Sequence, residues 1–324
     1  MIQWAAVGIG HMADLFVADA QHGQGGRFIA AYSRNKERAD AFAQKHKLEH
    51  SHDDFDALLA DDSIDAVYIA SPHTAHVGQA IAALEAGKAV LVEKPVAVNA
   101  MEAERLYQTA ERCGLFCQEA LWTRFNPVYR TILEQARSGL LGRLCHSHSN
   151  FGFVAPADPA HRLNNPELAG GALLDMGLYP LLLPLDLFGE PDSIDGRVSI
   201  GSSGVDESAD LVLSYPGGQR AVVSYSLRNV MPNQATISGM DGWVEMQSPW
   251  FAPNAARWQV GQGAVRWEQY ELIGRGWHYE FTAANQAIAR GDLFCKEHSQ
   301  ADSLRLMRLL DRIRTEFGPR YPFE

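Results

Sequence analysis

Residues 2–7, Ile2-Gln3-Trp4-Ala5-Ala6-Val7, read as a short strand that passes directly into Gly8-Ile9-Gly10-His11-Met12-Ala13. A G-x-G-x-x-G/A pattern between a strand and a helix restricts the fold more than any other feature of this chain. Gly8 is expected to make the tight turn, and Gly10 to let the backbone approach a pyrophosphate. Ala13 lets the helix pack close to its strand. The helix start, with His11 and Met12 in its first turn, offers unpaired N–H groups and the positive dipole end to phosphates. The expectation is a doubly wound parallel α/β sheet with a dinucleotide at its rim.

The second strand is expected at 28–32, followed by Ser33-Arg34 and, four residues on, Arg38. A site for NAD usually places an acid here to accept from the ribose 2′-hydroxyl. That acid is missing, and a hydroxyl and two guanidinium groups stand in its neighbourhood. Arginine binds phosphate through charge-assisted, often bidentate bonds. The pattern therefore points to NADP(H) over NAD(H), the alternative being that Arg34 and Arg38 are a solvated helix face.

A third signal is Glu93-Lys94-Pro95 after the apolar run Ala89-Val90-Leu91-Val92. The run reads as a buried parallel strand, so Lys94 stands at the carboxyl rim, where ligands bind in open α/β sheets. Read alone, it is a solvated strand-end lysine. Composition narrows the class further. The 324 residues suffice for two domains, and the formal net charge of −11 disfavours nucleic acid and anionic membrane surfaces as partners. No apolar run has the length of a membrane span, and the amino terminus does not read as a secretion signal. Four cysteines without C-x-x-C spacing suggest free thiols in a reducing cytoplasm.

Strands and helices alternate to about residue 120, with helices expected at 35–46, 55–59, 77–86 and 101–113 and a strand at 65–70. This predicts a Rossmann-type domain over 1–120. After a helix at 127–137, extended segments dominate to about 270: 146–153, 208–215, 219–227, 235–240, 243–246 and 264–267. Pro216-Gly217-Gly218 and Met240-Asp241-Gly242 read as hairpin turns. A second α+β domain with a large, mostly antiparallel sheet is therefore expected over 121–324. It closes with helices at 279–290 and 300–317, the last free to pack back on the first domain.

The second chemical cluster is the segment 170–179, in which Asp175 and Tyr179 are four apart in apolar surroundings. On a helix they share a face, either as buried polar groups that satisfy each other or as catalytic groups. Pro180 and Pro184 predict a kink or a late helix start. His146 and His148 alternate on a strand without a third ligand, so no metal site is assigned. His76, in the first turn of a helix, is either a cap or a cofactor contact.

These residues in this order resemble the glucose–fructose oxidoreductase/inositol dehydrogenase/rhizopine-catabolism (Gfo/Idh/MocA) family over essentially the whole chain. The carrying segments are Gly8 to Ala13, Ser71-Pro72-His73-Thr74-Ala75-His76, Glu93-Lys94-Pro95 and Gly170 to Tyr179. A narrower likeness, to dihydrodiol and NADP-dependent aldose dehydrogenases, rests on residues 119–125, with Trp122 and Arg124, and on 161–166, with Arg162. The resemblance implies cofactor contacts from the Ser71–His76 segment and from Glu93 and Lys94. It puts Lys94 and Tyr179 at the reacting carbinol with Asp175 beside them, and Trp122, Arg124, Phe153 and Arg162 about the substrate. It implies a sugar, polyol or cyclic-diol substrate and an open sheet face that often forms a homodimer. Inositol-type members carry histidine where this chain has Tyr179, and His73 replaces a frequent asparagine. A nucleotide-sensing regulator without turnover and an imine or enone reductase are the alternatives on the same fold.

Overall fold

The computed structural model describes residues 1–324. The chain divides into two compact units, Met1–Phe125 with Leu272–Leu304, and Asn126–Glu271 with Arg305–Glu324. The sequence reading drew one boundary at residue 120; the contacts place the divisions at 125, 271 and 304.

The first unit runs β1 (Ile2–Val7), α1 (His11–Ala20), β2 (Gly26–Tyr32), α2 (Lys36–His46), β3 (His50–His52), α3 (Phe55–Leu59), β4 (Ala66–Ile69), α4 (His73–Glu85), β5 (Ala89–Glu93), α5 (Ala100–Cys113) and β6 (Cys117–Ala120). Its six strands are parallel in the order β3-β2-β1-β4-β5-β6, the doubly wound topology expected. The direction of winding across the sheet reverses between β1 and β4, so their carboxyl ends flank the crevice where such sheets bind ligands. The caps follow from local chemistry. Asn35 accepts from the Arg38 amide and Asp54 from the Asp56 amide, while Lys47 and Gly114 close α2 and α5 in left-handed conformation.

Trp277–Arg290 (α8) completes this unit. Phe281 packs against Trp4, Phe16 and Phe28 at ring separations of 5.5, 6.1 and 5.5 Å. The buried Trp4 indole donates to Asn285 Oδ1 at 2.7 Å. Removing the Phe281 ring is expected to cost about 3–5 kcal/mol.

The second unit carries α6 (Pro127–Gln135), β7 (Leu144–Gly152), α7 (Leu178–Phe188) and β8 to β14: Ser193–Ile200, Asp206–Ser214, Arg220–Ser226, Ala235–Gly239, Gly242–Met246, Ala255–Val260 and Arg266–Gln269. The final helix, α9 (Gln300–Phe317), is shared between the units at Leu304. The eight strands lie in the order β14-β13-β12-β11-β7-β10-β9-β8, antiparallel except for the parallel pair β7–β10. Burial alternates through most of β10: Ala221, Val223 and Tyr225 are buried and Val222 and Ser224 half-buried. The helix α7 lies on β7 and β10. The helical run Pro166–Phe188 corrects one expectation. By length and composition it could cross a membrane, and 94% of its most apolar window is buried in the protein as core.

Candidate active site

The chemistry-bearing residues divide between the two units. In the first, Gly8 has φ +82, and a Cβ there would lie 2.5 Å from the Ser71 amide nitrogen, at the end of β4. Only glycine permits that approach. A Cβ on Gly10, by contrast, would meet nothing within 4 Å. The protein's own packing does not demand this glycine, and its backbone is left open to a ligand. No side chain caps α1, so its first amides are available to an anion. His11 is exposed and Met12 half-buried there, and Ala13 is fully buried in the aromatic core. These features fit a pyrophosphate.

At the end of β2, Ser33 Oγ accepts from the Asn35 amide at 3.3 Å. Arg34 and Arg38 are exposed, while neighbouring Lys36 is committed to Asp40 at 3.1 Å and to Ser51. Neither arginine is in an ion pair, so both guanidinium groups are available to a phosphate.

The loop carrying Lys94 is tied down from several sides. Lys94 is half-buried and joined to Pro95 through a cis peptide. Buried Glu93 accepts from the Tyr68 hydroxyl at 2.6 Å and the Lys94 amide at 3.2 Å. His76 is fully buried, its Nδ1 2.9 Å from the Pro95 carbonyl and its Nε2 2.8 Å from that of Ser71. Burial holds its pKa below the ordinary value. The neutral ring has one N–H and donates to one carbonyl at a time. His76 is thus a strut between the loops after β4 and β5, and α4 is capped by no side chain. His73 is buried with its ring 5.7 Å from that of His76; Ser71 is half-buried, with its hydroxyl on Gln79, and Pro72 is exposed.

Sequence reading missed the residue beneath this loop. Glu119, 1% exposed, accepts from the Val96 amide at 3.0 Å, from His298 Nε2 at 2.8 Å and from the Ser303 hydroxyl. Burial pushes its pKa up, but these bonds outweigh burial and hold it below the ordinary value. His298 Nδ1 faces Arg124 Nη1 at 3.0 Å. A guanidinium only donates, so Nδ1 accepts and the proton sits on Nε2. Arg124 also pairs with Asp302 at 3.3 Å. Arg124, for which the resemblance implies a substrate role, is 6% exposed and belongs to this network. Trp122, half-buried, packs its ring 5.2 Å from that of Trp277.

In the second unit, Leu173–Gly177 forms a π-helical turn that runs straight into α7. Asp175 and Tyr179 therefore do not follow plain α-helical spacing; such widened turns recur at functional sites. Pro180 and Pro184 stand inside α7, and Ser149 Oγ donates to the Pro180 carbonyl at 2.7 Å. Asp175, 7% exposed, accepts from Arg162 Nη1 at 2.8 Å, and Arg162 keeps about half its side chain in solvent. Tyr179 lies beside an aromatic wall, 5.2 Å from Phe251 and 5.8 Å from Phe151, rings that stack at 4.4 Å; Phe153 continues it 6.0 Å from Phe151. Phe151 and Phe251 escaped the sequence reading, because one is an ordinary strand residue and the other follows β12 in a loop.

Comparison with known proteins agrees with this layout. Residues 2–121 match the family model described as an oxidoreductase family with an NAD-binding Rossmann fold, and residues 129–245 match the GFO/IDH/MocA C-terminal domain. The trans-1,2-dihydrobenzene-1,2-diol dehydrogenase of Xenopus tropicalis is 31% identical over 91% of each chain. The scyllo-inositol 2-dehydrogenase (NADP(+)) IolU of Bacillus subtilis is 30% identical over 99% of each. A 3-ketoreductase of Actinomadura kijaniata, solved with NADP and TDP-benzene, shares the fold with a TM-score of 0.87, 24% identity and coverage of 98% and 99% of the two chains. The protein belongs to the Gfo/Idh/MocA family and is an NAD(P)-dependent oxidoreductase.

Proposed function

We propose that the protein is an NADP(H)-dependent dehydrogenase that oxidises a carbinol on a cyclic diol or a sugar. The observation that carries this reading is Tyr179: a phenol against the Phe151–Phe251 wall, one helical turn from a carboxylate pinned by Arg162. An apolar wall suits the face of a ring, and a phenol beside it suits proton transfer at a ring hydroxyl. The cofactor preference rests on the unpaired Arg34 and Arg38 and on the missing acid after β2. The names of the diol and inositol relatives support the substrate class.

Bound nicotinamide supplies the hydride acceptor or donor. The chain's own task is the proton. Free tyrosine and lysine side chains titrate at about 10 and about 10.4, so either needs help to act as a base at neutral pH. An ammonium close to a phenol favours the phenolate. Lys94 and Tyr179 are read as a coupled pair, one taking the proton and the other tuning it and holding the oxygen. Asp175 orients them. We further read the sheet face opposite α7, with Trp243, Arg257 and Trp267, as the contact of a homodimer; Arg257 lies 5.7 and 5.4 Å from the two indole rings. The four free cysteines suit a reducing cytoplasm.

The test is reduction of NADP⁺, read by absorbance, with trans-dihydrodiols, aldoses and inositols, and NAD⁺ in parallel. Turnover of a diol or aldose with NADP⁺ preferred is expected. Replacing Arg34 and Arg38 by alanine should raise the KM for NADP⁺ about tenfold or more and leave that for NAD⁺ unchanged. Binding of NADPH with no turnover anywhere in the panel would favour a sensor and count against this reading.

A further inference from the structure

The segment bearing Asp175 and Tyr179 begins on an unusual support. Asp206, the first residue of β9, is fully buried, and its Oδ2 accepts from the Leu173 amide at 2.7 Å. Leu173 opens the π-helical turn. Gly171 stands directly over the same carboxylate: its φ is +118, and a Cβ there would fall 2.2 Å from Asp206 Oδ1. A side chain at that position would push the carboxylate off the helix start. Tyr321 donates to the Gly170 carbonyl at 2.7 Å, so the Gly170-Gly171 turn is held from both sides.

The hold is incomplete. Asp206 Oδ1, the Tyr225 hydroxyl and Arg314 Nε are all buried and without partners. Burial drives the Asp206 carboxyl up to about 7; the Leu173, Asp206 and Ala172 amides and the charge of Arg314 pull the other way. The groups that face it are the helix-start amides, Arg314 from α9, Tyr225 from β10 and Tyr321 from the carboxyl-terminal segment. Neighbouring Glu207 is turned to Arg228.

We propose that Asp206 is a positioning residue for the reaction, its carboxyl anchoring the helix start that sets Asp175 and Tyr179. The anchor works through Leu173, six residues before the phenol. The raised titration means that the folded segment favours the protonated carboxyl, which still accepts from the Leu173 amide through its carbonyl oxygen. The hold on the segment therefore slackens as pH rises through the titration of Asp206. The role in catalysis rests on the functional reading above; the anchoring itself does not.

The experiment compares wild type, Asp206→Ala and Asp206→Asn in the full chain. It reads kcat and the KM for NADP⁺ across pH, and amide exchange of residues 173–179 by mass spectrometry. Asp206→Ala is expected to lower kcat about a hundredfold, since small misplacements of reacting groups cost that much. The KM for NADP⁺, set by the other unit, should stay within about twofold. Exchange in 173–179 should rise while that of 11–20 does not. Asp206→Asn keeps an oxygen acceptor for Leu173, so it should restore most of kcat at neutral pH and abolish the pH dependence of protection in 173–179, the exchange rate relative to that of the free chain at each pH. Near-native kcat and exchange in Asp206→Ala would overturn the proposal. Should that variant not fold, Asp206→Asn decides: protection that still changes with pH as in wild type overturns it, and protection that no longer does supports it. Faster exchange in the variants, with no turnover even in wild type, would support the anchor and count against the functional reading instead.

Discussion

Two buried carboxylates hold the two chemical segments of this protein, and they do so in different electrical states. Glu119 sits under the Lys94 loop and receives three donors, the Val96 amide, His298 and Ser303. Asp206 sits under the Tyr179 helix start, with a bond from Leu173 and its second oxygen unpartnered. Both are fully desolvated. The first is held below its ordinary pKa and the second is raised to about 7. Burial alone does not decide the charge of a carboxylate; the number and kind of donors that replace water do. The Lys94 loop is thus fastened at any physiological pH, and the Tyr179 helix start is fastened by a group that titrates within it.

The largest effect should come from removing the two groups proposed to carry the proton. Tyr179→Phe and Lys94→Met are each expected to lower kcat about a thousandfold or more, within the range for general acid–base groups. NADPH binding, followed by fluorescence, should persist in both. Near-normal turnover in either would break the symmetry assumed for the two segments.

Stability against pH sharpens the comparison next, and the two signs are opposite. The Glu119 carboxyl is more acidic folded than unfolded, so its contribution is present above the unfolded value of 4.5 and is lost as pH falls below it. The Asp206 carboxyl is less acidic folded, so its contribution is full below 3.8 and is lost as pH rises to about 7. That shift corresponds to a loss on the order of 4 kcal/mol. Denaturant unfolding of Asp206→Asn at about pH 5 and about pH 7.5 should show a smaller decline than wild type. An equal decline would mean that Asp206 does not titrate in that window.

The glycines distinguish the segments by a smaller margin. Gly8→Ala and Gly171→Ala place a Cβ 2.5 Å from the Ser71 amide and 2.2 Å from Asp206 Oδ1, both at positive φ. Each should destabilise by about 1–3 kcal/mol. Gly10→Ala meets nothing and should leave the melting temperature almost unchanged while weakening NADPH binding. A melting loss at Gly10 as large as at Gly8 would refute the division of labour within the fingerprint.

The parallel half of the fold was open to reading because each of its elements carries its own signal. Ile2–Val7, Phe55–Leu59 and Gln300–Phe317 have the expected bounds, fixed by apolar runs, caps and periodicity. In the second unit, two strands were missed for a local reason. In Ser193–Ile200 only Ile194 is buried, as suits an edge strand, and in Ala255–Val260 the buried positions are Ala256 and Trp258, too uneven a pair to show alternation. The helix His73–Glu85 begins four residues earlier than expected, because His73-Thr74-Ala75-His76 reads as polar turn chemistry until both histidines are seen buried.

The sequence by itself determined the dinucleotide-binding half, the order of the motifs and the candidate side chains Lys94, Asp175 and Tyr179, since each stands in a short segment whose signal is complete within about ten residues. Only the tertiary structure decided what holds them. Glu119 meets His298 and Arg124 meets Asp302 across 179 and 178 residues of chain, and Asp206 meets Leu173 across 33. Such partners carry no local signature, because a buried carboxylate is recognised by the donors that replace its water, and folding alone brings those donors to it.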